Sequence, residues 1–197
     1  MPAGKLNRIG VWENQKFIGV VLFGLGSGNS TRGEQYGLAK RFEVAELCRV
    51  ALNVHQTPTS KIVALATKWI IKKNSKLKML VSFADSNQGH CGTLYQACNW
   101  IYVGGKAIND TFIINGVAMH PRTVASKGSV KWARSIDPQA KSVKTLPKHK
   151  YVYPISDKAK QWALSHKKPY PKRVRSADSG TSGNQPGGGG ANPTRTL

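Results

Sequence analysis

The sequence is poor in acidic residues. It has 9 Asp and Glu against 30 Lys and Arg, a formal net charge of +21. Such a charge favours a polyanionic partner, because Lys and Arg bind nucleic acids by neutralising their phosphates. The alternative is a basic surface that is only solvated, but many of the cations cluster between Lys141 and Arg175. We therefore expect a nucleic-acid partner.

Cysteines and long apolar runs are also scarce. The three cysteines, Cys48, Cys91 and Cys98, are too few and of the wrong parity for a disulfide framework, so we expect free thiols. No run of about eighteen apolar residues occurs, and the first ten residues lack the apolar region of a signal peptide. We expect a soluble, intracellular protein.

The order of apolar segments predicts an α/β fold, a mixed sheet flanked by helices. The predicted elements are a hairpin (8–12 and 16–23), a strand (42–52), a helix from 57 that ends at 74, a strand (77–84), a short helix (92–99), a strand (100–103), a hairpin (111–114 and 117–120), a strand (151–153) and a last helix (157–166). In the first of these helices we expect Ile62, Leu65, Ala66, Trp69 and Ile70 to pack on the sheet. We expect one domain over residues 1–166. Residues 167–197 lack periodic apolar positions and are predicted to form a disordered tail.

A candidate active site follows the strand 77–84. Asp85 ends this strand, and His90, Cys91 and Tyr95 come in the loop and helix after it; such junctions often carry chemistry. Asp85 fits a general base or an amine-orienting acid, and the alternative is a turn or cap residue. Tyr95 fits a hydrogen-bond donor or a platform for a base, and the alternative is a core anchor.

Two further sites suit an anion. Arg49 lies on the strand 42–52, on the face that Glu43 shares, and fits either an anion site or a structural ion pair. Thr57, Thr59 and Ser60 stand at a helix start, where backbone N–H groups favour a phosphate or carboxylate, or are ordinary caps. The spacing of His90, Cys91 and Cys98 lacks paired metal ligands, so no metal site is predicted.

Several segments together resemble the Mom family of bacteriophage DNA-modification proteins. They are GVWENQKFIGVVLFG, FEVAELCRVAL, HQTPTSKI, LVSFADSNQGHCGTLYQACNWIY and KHKYVYP. The resemblance covers Arg8 to Pro154, and its run SFADxxxGHxGxxYQAxNWIY is long and uncommon. By motif, Arg49, Ser60, Asp85 and Tyr95 are similar to residues implicated in the function of the family.

The resemblance implies a variant of the GCN5-related acyltransferase fold. Members convert adenine in phage DNA to a carbamoylmethyl derivative on the exocyclic amine, which protects that DNA from host restriction. For this chain it implies a transferase that acts on double-stranded DNA in the cytoplasm of the infected bacterial host, with no membrane partner. The oligomeric state, the group donor and a role for a metal such as iron stay open.

Two departures from the family pattern keep alternatives open. Members usually begin with a strand and helix that carry a His-Tyr pair, and this chain starts after that element. Acetyl coenzyme A, the donor that the fold suggests, needs a glycine-rich phosphate loop, whereas this loop reads His55 to Ser60 with Pro58 inside it. The alternatives are a catalytically inactive or truncated DNA-binding relative, and a coenzyme A acyltransferase for a small amine, which the charge and the loop disfavour.

Overall fold

A computed structural model describes residues 6–25, 30–106 and 111–172 of the chain. The strands in this part are β1 (Leu6–Glu13), β2 (Lys16–Gly24), β3 (Val44–Leu52), β4 (Met79–Ala84), β5 (Ile101–Lys106), β6 (Thr111–Ile114), β7 (Val117–Met119), β8 (Lys141–Val143) and β9 (Lys148–Pro154). The α-helices are α1 (Thr59–Lys73), α2 (Thr93–Ala97), α3 (Pro121–Ser126), α4 (Ser129–Ile136) and α5 (Asp157–Ser165). Six strands form a mixed sheet in the order β1-β2-β3-β4-β9-β5, and a second sheet has the order β7-β6-β8. The predicted fold class is confirmed.

The first hairpin forms where it was predicted. β1 and β2 pair in antiparallel fashion, and the hairpin closes with Glu13 opposite Lys16. Asn14 and Gln15 at the turn have φ angles of 50° and 64°, the left-handed values that a tight hairpin turn between twisted strands requires. The turn places Glu13 and its neighbours at one end of the sheet.

Helix α1 packs on one face of the main sheet. It buries one stripe of side chains, Ile62, Val63, Ala66, Thr67 and Ile70, whose spacing is that of an amphipathic helix. The prediction that Leu65 and Trp69 belong to this stripe is wrong, because they are 57% and 42% exposed. The stripe is centred on the side of Val63 and Thr67 instead, so it includes a hydroxyl-bearing residue that a purely apolar count overlooks.

The central strands are buried on both faces. On the side of α1 and α2, the core includes Leu47, Leu80 and Tyr151. On the side of α5, it includes Val81 and Val152. Successive residues of each strand therefore enter different cores, which explains why the strands read as nearly continuous apolar segments.

Strand β9 lies inside the sheet, between β4 and β5, and is antiparallel to both. The sequence predicted a strand at 151–153 but not this position, and it predicted neither β8 nor the helices α3 and α4. The hairpin of β6 and β7 is confirmed, with Asn115 and Gly116 at its turn. It belongs to the small sheet, which has a separate core of Ile114, Val124 and Ala133.

The chain returns to the main sheet after α5. The Lys168 N–H donates to the Tyr102 carbonyl oxygen (2.9 Å), and the Tyr170 hydroxyl donates to the Trp100 carbonyl oxygen (2.8 Å). The rest of the predicted tail, residues 173–197, lies outside the described residues. The domain boundary after residue 166 stays a prediction.

Gly92→Ala should destabilise the protein more than Gly89→Ala. Both glycines have left-handed φ angles, 78° and 68°, so each substitution carries about 1–2 kcal/mol of backbone strain. A Cβ at Gly92 would also clash with the ring of Tyr151, whereas a Cβ at Gly89 would meet no atom within 4 Å beyond its chain neighbours. Urea denaturation should show a further loss of about 2 kcal/mol for Gly92→Ala. Equal losses would contradict the close packing of this loop on β9.

Candidate active site at the opening between two strands

Strands β3 and β4 separate soon after they pair. They are parallel, and the last of their three pairs is Glu46 opposite Val81. Beyond it, β3 continues along β2 to Leu52, while β4 continues along β9 to Ala84. A wedge-shaped opening results at the carboxyl ends of two parallel strands, which is where open α/β sheets commonly bind ligands.

A β-bulge lies in β3 beside this opening. The register shifts so that Leu22 faces Arg49 while Phe23 faces Leu47, which leaves Cys48 without a partner. The regular alternation predicted for β3 is broken there, and Arg49 is exposed. The alternative of a buried ion pair is wrong, since Arg49 forms no salt bridge within the described residues. Its guanidinium is available to an external anion.

Ser82 and Tyr95 fill the α1 side of the opening. The Ser82 hydroxyl donates to the carbonyl oxygen of Leu47 (2.8 Å), which lies beyond the last strand pair, and it shares a hydrogen bond of 2.8 Å with the Tyr95 hydroxyl. The Tyr95 ring packs against Trp100 and Tyr151, with centroids 5.5 and 5.1 Å away. Burial raises the pKa of Tyr95. Its ring is thus a core anchor, and only its neutral hydroxyl reaches the opening.

The side chain of Glu46 stands at the narrow end of the opening, on the face of α5. It accepts a hydrogen bond from the Ser30 hydroxyl (2.8 Å). Burial raises the pKa of Glu46, and the Ser30 hydrogen bond and the charge of Lys148 act in the opposite direction. Sequence reasoning missed Glu46, although an acid inside the apolar run FEVAELCRVAL was a usable signal.

Asp85 is tied into a turn. It precedes a 3-10 turn (Ser86–Gln88), and its Oδ1 accepts from the N–H (3.1 Å) and the Nδ2 (3.0 Å) of Asn87. Its Oδ2 pairs with Lys148 Nζ at 3.2 Å. Partial burial acts to raise the pKa of Asp85, but the Asn87 hydrogen bonds and Lys148 outweigh it and the pKa is lowered. These contacts favour the turn-and-cap alternative, and the catalytic role of Asp85 stays a prediction.

Lys148 acts on two carboxylates, those of Glu46 and Asp85, whose pKa values shift in opposite directions. Lys148 forms an ion pair with Asp85 and also acts on the charge of Glu46. The pKa of Asp85 is lowered and that of Glu46 is raised, and such divergence is how an acid and a base are distinguished in known active sites. Glu46 is the better proton acceptor of the two.

The predicted anion site at the start of α1 is already filled by a side chain. Glu13 accepts from the N–H groups of Gln56 (2.9 Å) and Thr57 (2.7 Å) and from the Thr57 hydroxyl. These contacts, led by that of the hydroxyl, lower the pKa of Glu13 to about 2. The Thr59 hydroxyl is engaged as well, by His55 Nε2 at 3.0 Å.

Ser60 lies in the first turn of α1, next to the end of α2. Its carbonyl oxygen accepts from Cys98 Sγ (3.3 Å), which brings this turn near the helix of Tyr95. Within the described residues, no group of three or more His, Cys, Asp and Glu is placed to hold a metal ion. His90 is exposed.

A groove of about 370 Å³ runs between β1 and α1. Its lining is largely apolar and includes Val11, Leu65 and Trp69. Glu13 stands at its end with both carboxylate oxygens engaged. Lys61 is the remaining charged residue of its lining, so the groove lacks the several convergent polar groups that mark a catalytic pocket.

The chain that carries these residues matches a known protein family. The chain matches the Mom protein family over residues 1–172. It belongs to the Mom family. The match spans β1 to α5 and so includes the opening, both carboxylates and Lys148 of this Mom-family protein.

No curated protein shows significant sequence similarity to this Mom-family chain. Among solved structures, it is similar to a GNAT family acetyltransferase from Elizabethkingia anophelis with acetyl-CoA bound, at 14% identity and a TM-score of 0.33, over 73% of this chain and 72% of the other. A similarity of that size does not establish a shared activity. No helix in the described residues is long and apolar enough to span a membrane.

The loop before α1 does not fit the pyrophosphate of coenzyme A. Two of its N–H groups, those of Gln56 and Thr57, already donate to Glu13, and Pro58 has no N–H. A phosphate at this place would have to displace an ionised carboxylate and then lie beside it. The residues present therefore disagree with coenzyme A as a ligand of this loop.

Removal of the Glu13 carboxylate should create an anion site. We expect Glu13→Ala to bind inorganic pyrophosphate about tenfold more tightly than the intact chain, because two N–H groups become free. Glu34→Ala is the matched control, since it removes an equal charge from an exposed position. Calorimetric titration measures both. Equal gains in the two variants would show that net charge alone is responsible.

Glu13 should also make stability depend on acid pH. Its pKa is about 2 in the folded protein against a usual 4.5, so its contribution is complete above pH 4.5 and is lost as the pH falls through 2. The stability difference between the intact chain and Glu13→Gln should shrink over this window. Urea denaturation at several pH values measures it, and a constant difference would contradict the lowered pKa.

Proposed function

We propose that this Mom-family protein adds a carbamoylmethyl-type group to the exocyclic amine of adenine in double-stranded DNA. The observation that carries the proposal is the family match over residues 1–172. The net charge of +21 supports a DNA partner. In the cytoplasm of an infected bacterium, such a modification protects phage DNA from host restriction nucleases.

The opening between β3 and β4 supports a transfer reaction. The amine nitrogen of adenine forms a bond to the transferred carbon, and the leaving group departs from that carbon with the bonding electrons. The amine proton passes to Glu46, whose raised pKa suits a proton acceptor. Lys148 supplies positive charge for the negative charge that develops, and the hydrogen-bonded hydroxyls of Ser82 and Tyr95 line the opening on the α1 side.

Access to the amine requires the base to leave the duplex. The amine is paired inside the helix, so an enzyme that modifies it must expose or flip the nucleotide. Arg49 is exposed beside the bulge of β3 and suits a phosphate next to the flipped base. Thr59 and Ser60, which the sequence also predicted for an anion site, stand at the same end of the sheet.

Asp85 acts in this proposal as a positioning residue. Its contacts with Asn87 and Lys148 hold the turn after β4 against the start of β9. The ion pair thereby fixes Lys148, whose charge acts on Glu46. The donor reaches the opening by a route that does not use the loop before α1, because that loop is closed by Glu13.

Replacement of the two carboxylates by amides should separate their roles. We expect Glu46→Gln to reduce modification by at least about 100-fold, because a general base typically contributes 10²–10⁴-fold. Asp85→Asn keeps an oxygen that can accept from Asn87, so this variant should retain more of the modification activity than Glu46→Gln does. The measurement is mass spectrometry of nucleosides from plasmid DNA isolated from cells that express each variant.

The same assay decides against the alternatives. A heavier deoxyadenosine with the intact chain supports the transferase. Full modification by Glu46→Gln together with none by Asp85→Asn would indicate that Asp85, and not Glu46, is the general base. DNA that stays unmodified with every variant while the protein still binds it would indicate a DNA-binding relative without activity.

A further inference from the structure

The segment between β5 and β9 forms a unit of its own. Its described part, residues 111–147, contains the small sheet of β6, β7 and β8 and the helices α3 and α4. Ile114, Val124 and Ala133 form its core, with Phe112 and Trp132 packed around them. This core is separate from the two that line the main sheet. The surface of the unit is therefore held in shape by its own core.

The charge of this unit is strongly one-sided. Residues 111–147 carry six Lys and Arg and a single acid, Asp137. The cations are all exposed: Arg122, Lys127, Lys131, Arg134, Lys141 and Lys144. Asp137 instead accepts from the N–H groups of Asn115 (2.7 Å) and Gln139 (2.8 Å). Within the part of the chain that the structure describes, none of the six cations forms a salt bridge.

The unit is anchored beside the opening. The Leu146 N–H donates to Asn87 Oδ1 (3.1 Å), and Asn87 Nδ2 donates back to the Leu146 carbonyl oxygen (3.4 Å). The Ser86 hydroxyl donates to the Pro147 carbonyl oxygen. The next residue, Lys148, is the cation that contacts Asp85. The turn after β4 is thus fixed directly to the base of the unit.

We propose that residues 111–147 form the surface on which duplex DNA docks, with α4 as its main phosphate contact. The inference rests on the proposed function for the identity of the partner. Lys131 and Arg134 are three residues apart on α4, so they project from the same side of the helix. Exposed cations without internal partners bind phosphates and release counterions. Because the base of the unit is fixed to the turn that follows Asp85, DNA held on the unit lies near the end of β4.

The test compares two pairs of cations in the full chain. Lys131→Gln with Arg134→Gln removes the proposed contact, and Lys68→Gln with Lys72→Gln removes two exposed charges from the second half of α1. Fluorescence anisotropy measures the affinity for a labelled DNA duplex at several salt concentrations. We expect the α4 variant to bind about tenfold more weakly, with a salt slope smaller by about 2. The α1 variant should change about twofold or less.

Several outcomes would overturn the proposal. One is an α4 variant that keeps its affinity, and another is an α1 variant that loses as much. A greater loss on single-stranded RNA than on the duplex would exclude DNA as the partner of this surface. If the α4 variant fails to fold, as judged by thermal unfolding, Lys141→Gln with Lys144→Gln on and after β8 replaces it. Nucleoside analysis of the same proteins tests the transferase proposal separately. If no modified nucleoside forms, the anisotropy measurements still test the docking surface.

Discussion

The early separation of β3 and β4 is the constraint on which the site depends. Parallel strands that stayed paired would satisfy each other's backbone groups and close the sheet. Here the free carbonyl of Leu47 takes its hydrogen bond from a side chain, that of Ser82, and Ser82 in turn orients the Tyr95 hydroxyl. On the other face, the last paired residue of β3 is Glu46, whose carboxylate has little water around it. The opening thus has the Tyr95 hydroxyl on one face of the sheet and the Glu46 carboxylate on the other, and the charge of Glu46 acts on the pKa of Tyr95.

The few acids of the chain are used to hold turns and helix starts more than to neutralise its cations. Glu13, Glu43, Asp85 and Asp137 all accept hydrogen bonds from backbone N–H groups of turns or helix starts. Of these, only Asp85 also pairs with a lysine in the described residues. Acids that fasten loops do not neutralise surface cations. The positive charge of the surface is therefore largely uncompensated by the described acids.

The sequence predicted the elements of the main sheet well because their apolar patterns are local. It did not predict the position of β9, since that depends on pairing between segments far apart in the chain. The bulge at Cys48 was missed for the same reason: register is set by β2, not by β3 itself. Helices α3 and α4 were missed because they are short and largely exposed. Asp85 was predicted from its place after a strand, whereas the lowered pKa of Glu13 depends on Thr57 and the raised pKa of Glu46 depends on burial by segments that are distant in sequence.

The interior position of β9 has a consequence for how the protein is made. β4 and β5 are both synthesised before β9, yet each is antiparallel to it and the two do not pair with each other. On the ribosome, the growing chain must keep these two hydrophobic edges apart until residues 148–154 emerge. Formation of such non-local pairs is slow, and unpaired edges invite aggregation in the meantime. The β4–β9–β5 half of the sheet can therefore form only after residues 148–154 are made, whereas β1 to β4 can pair before then.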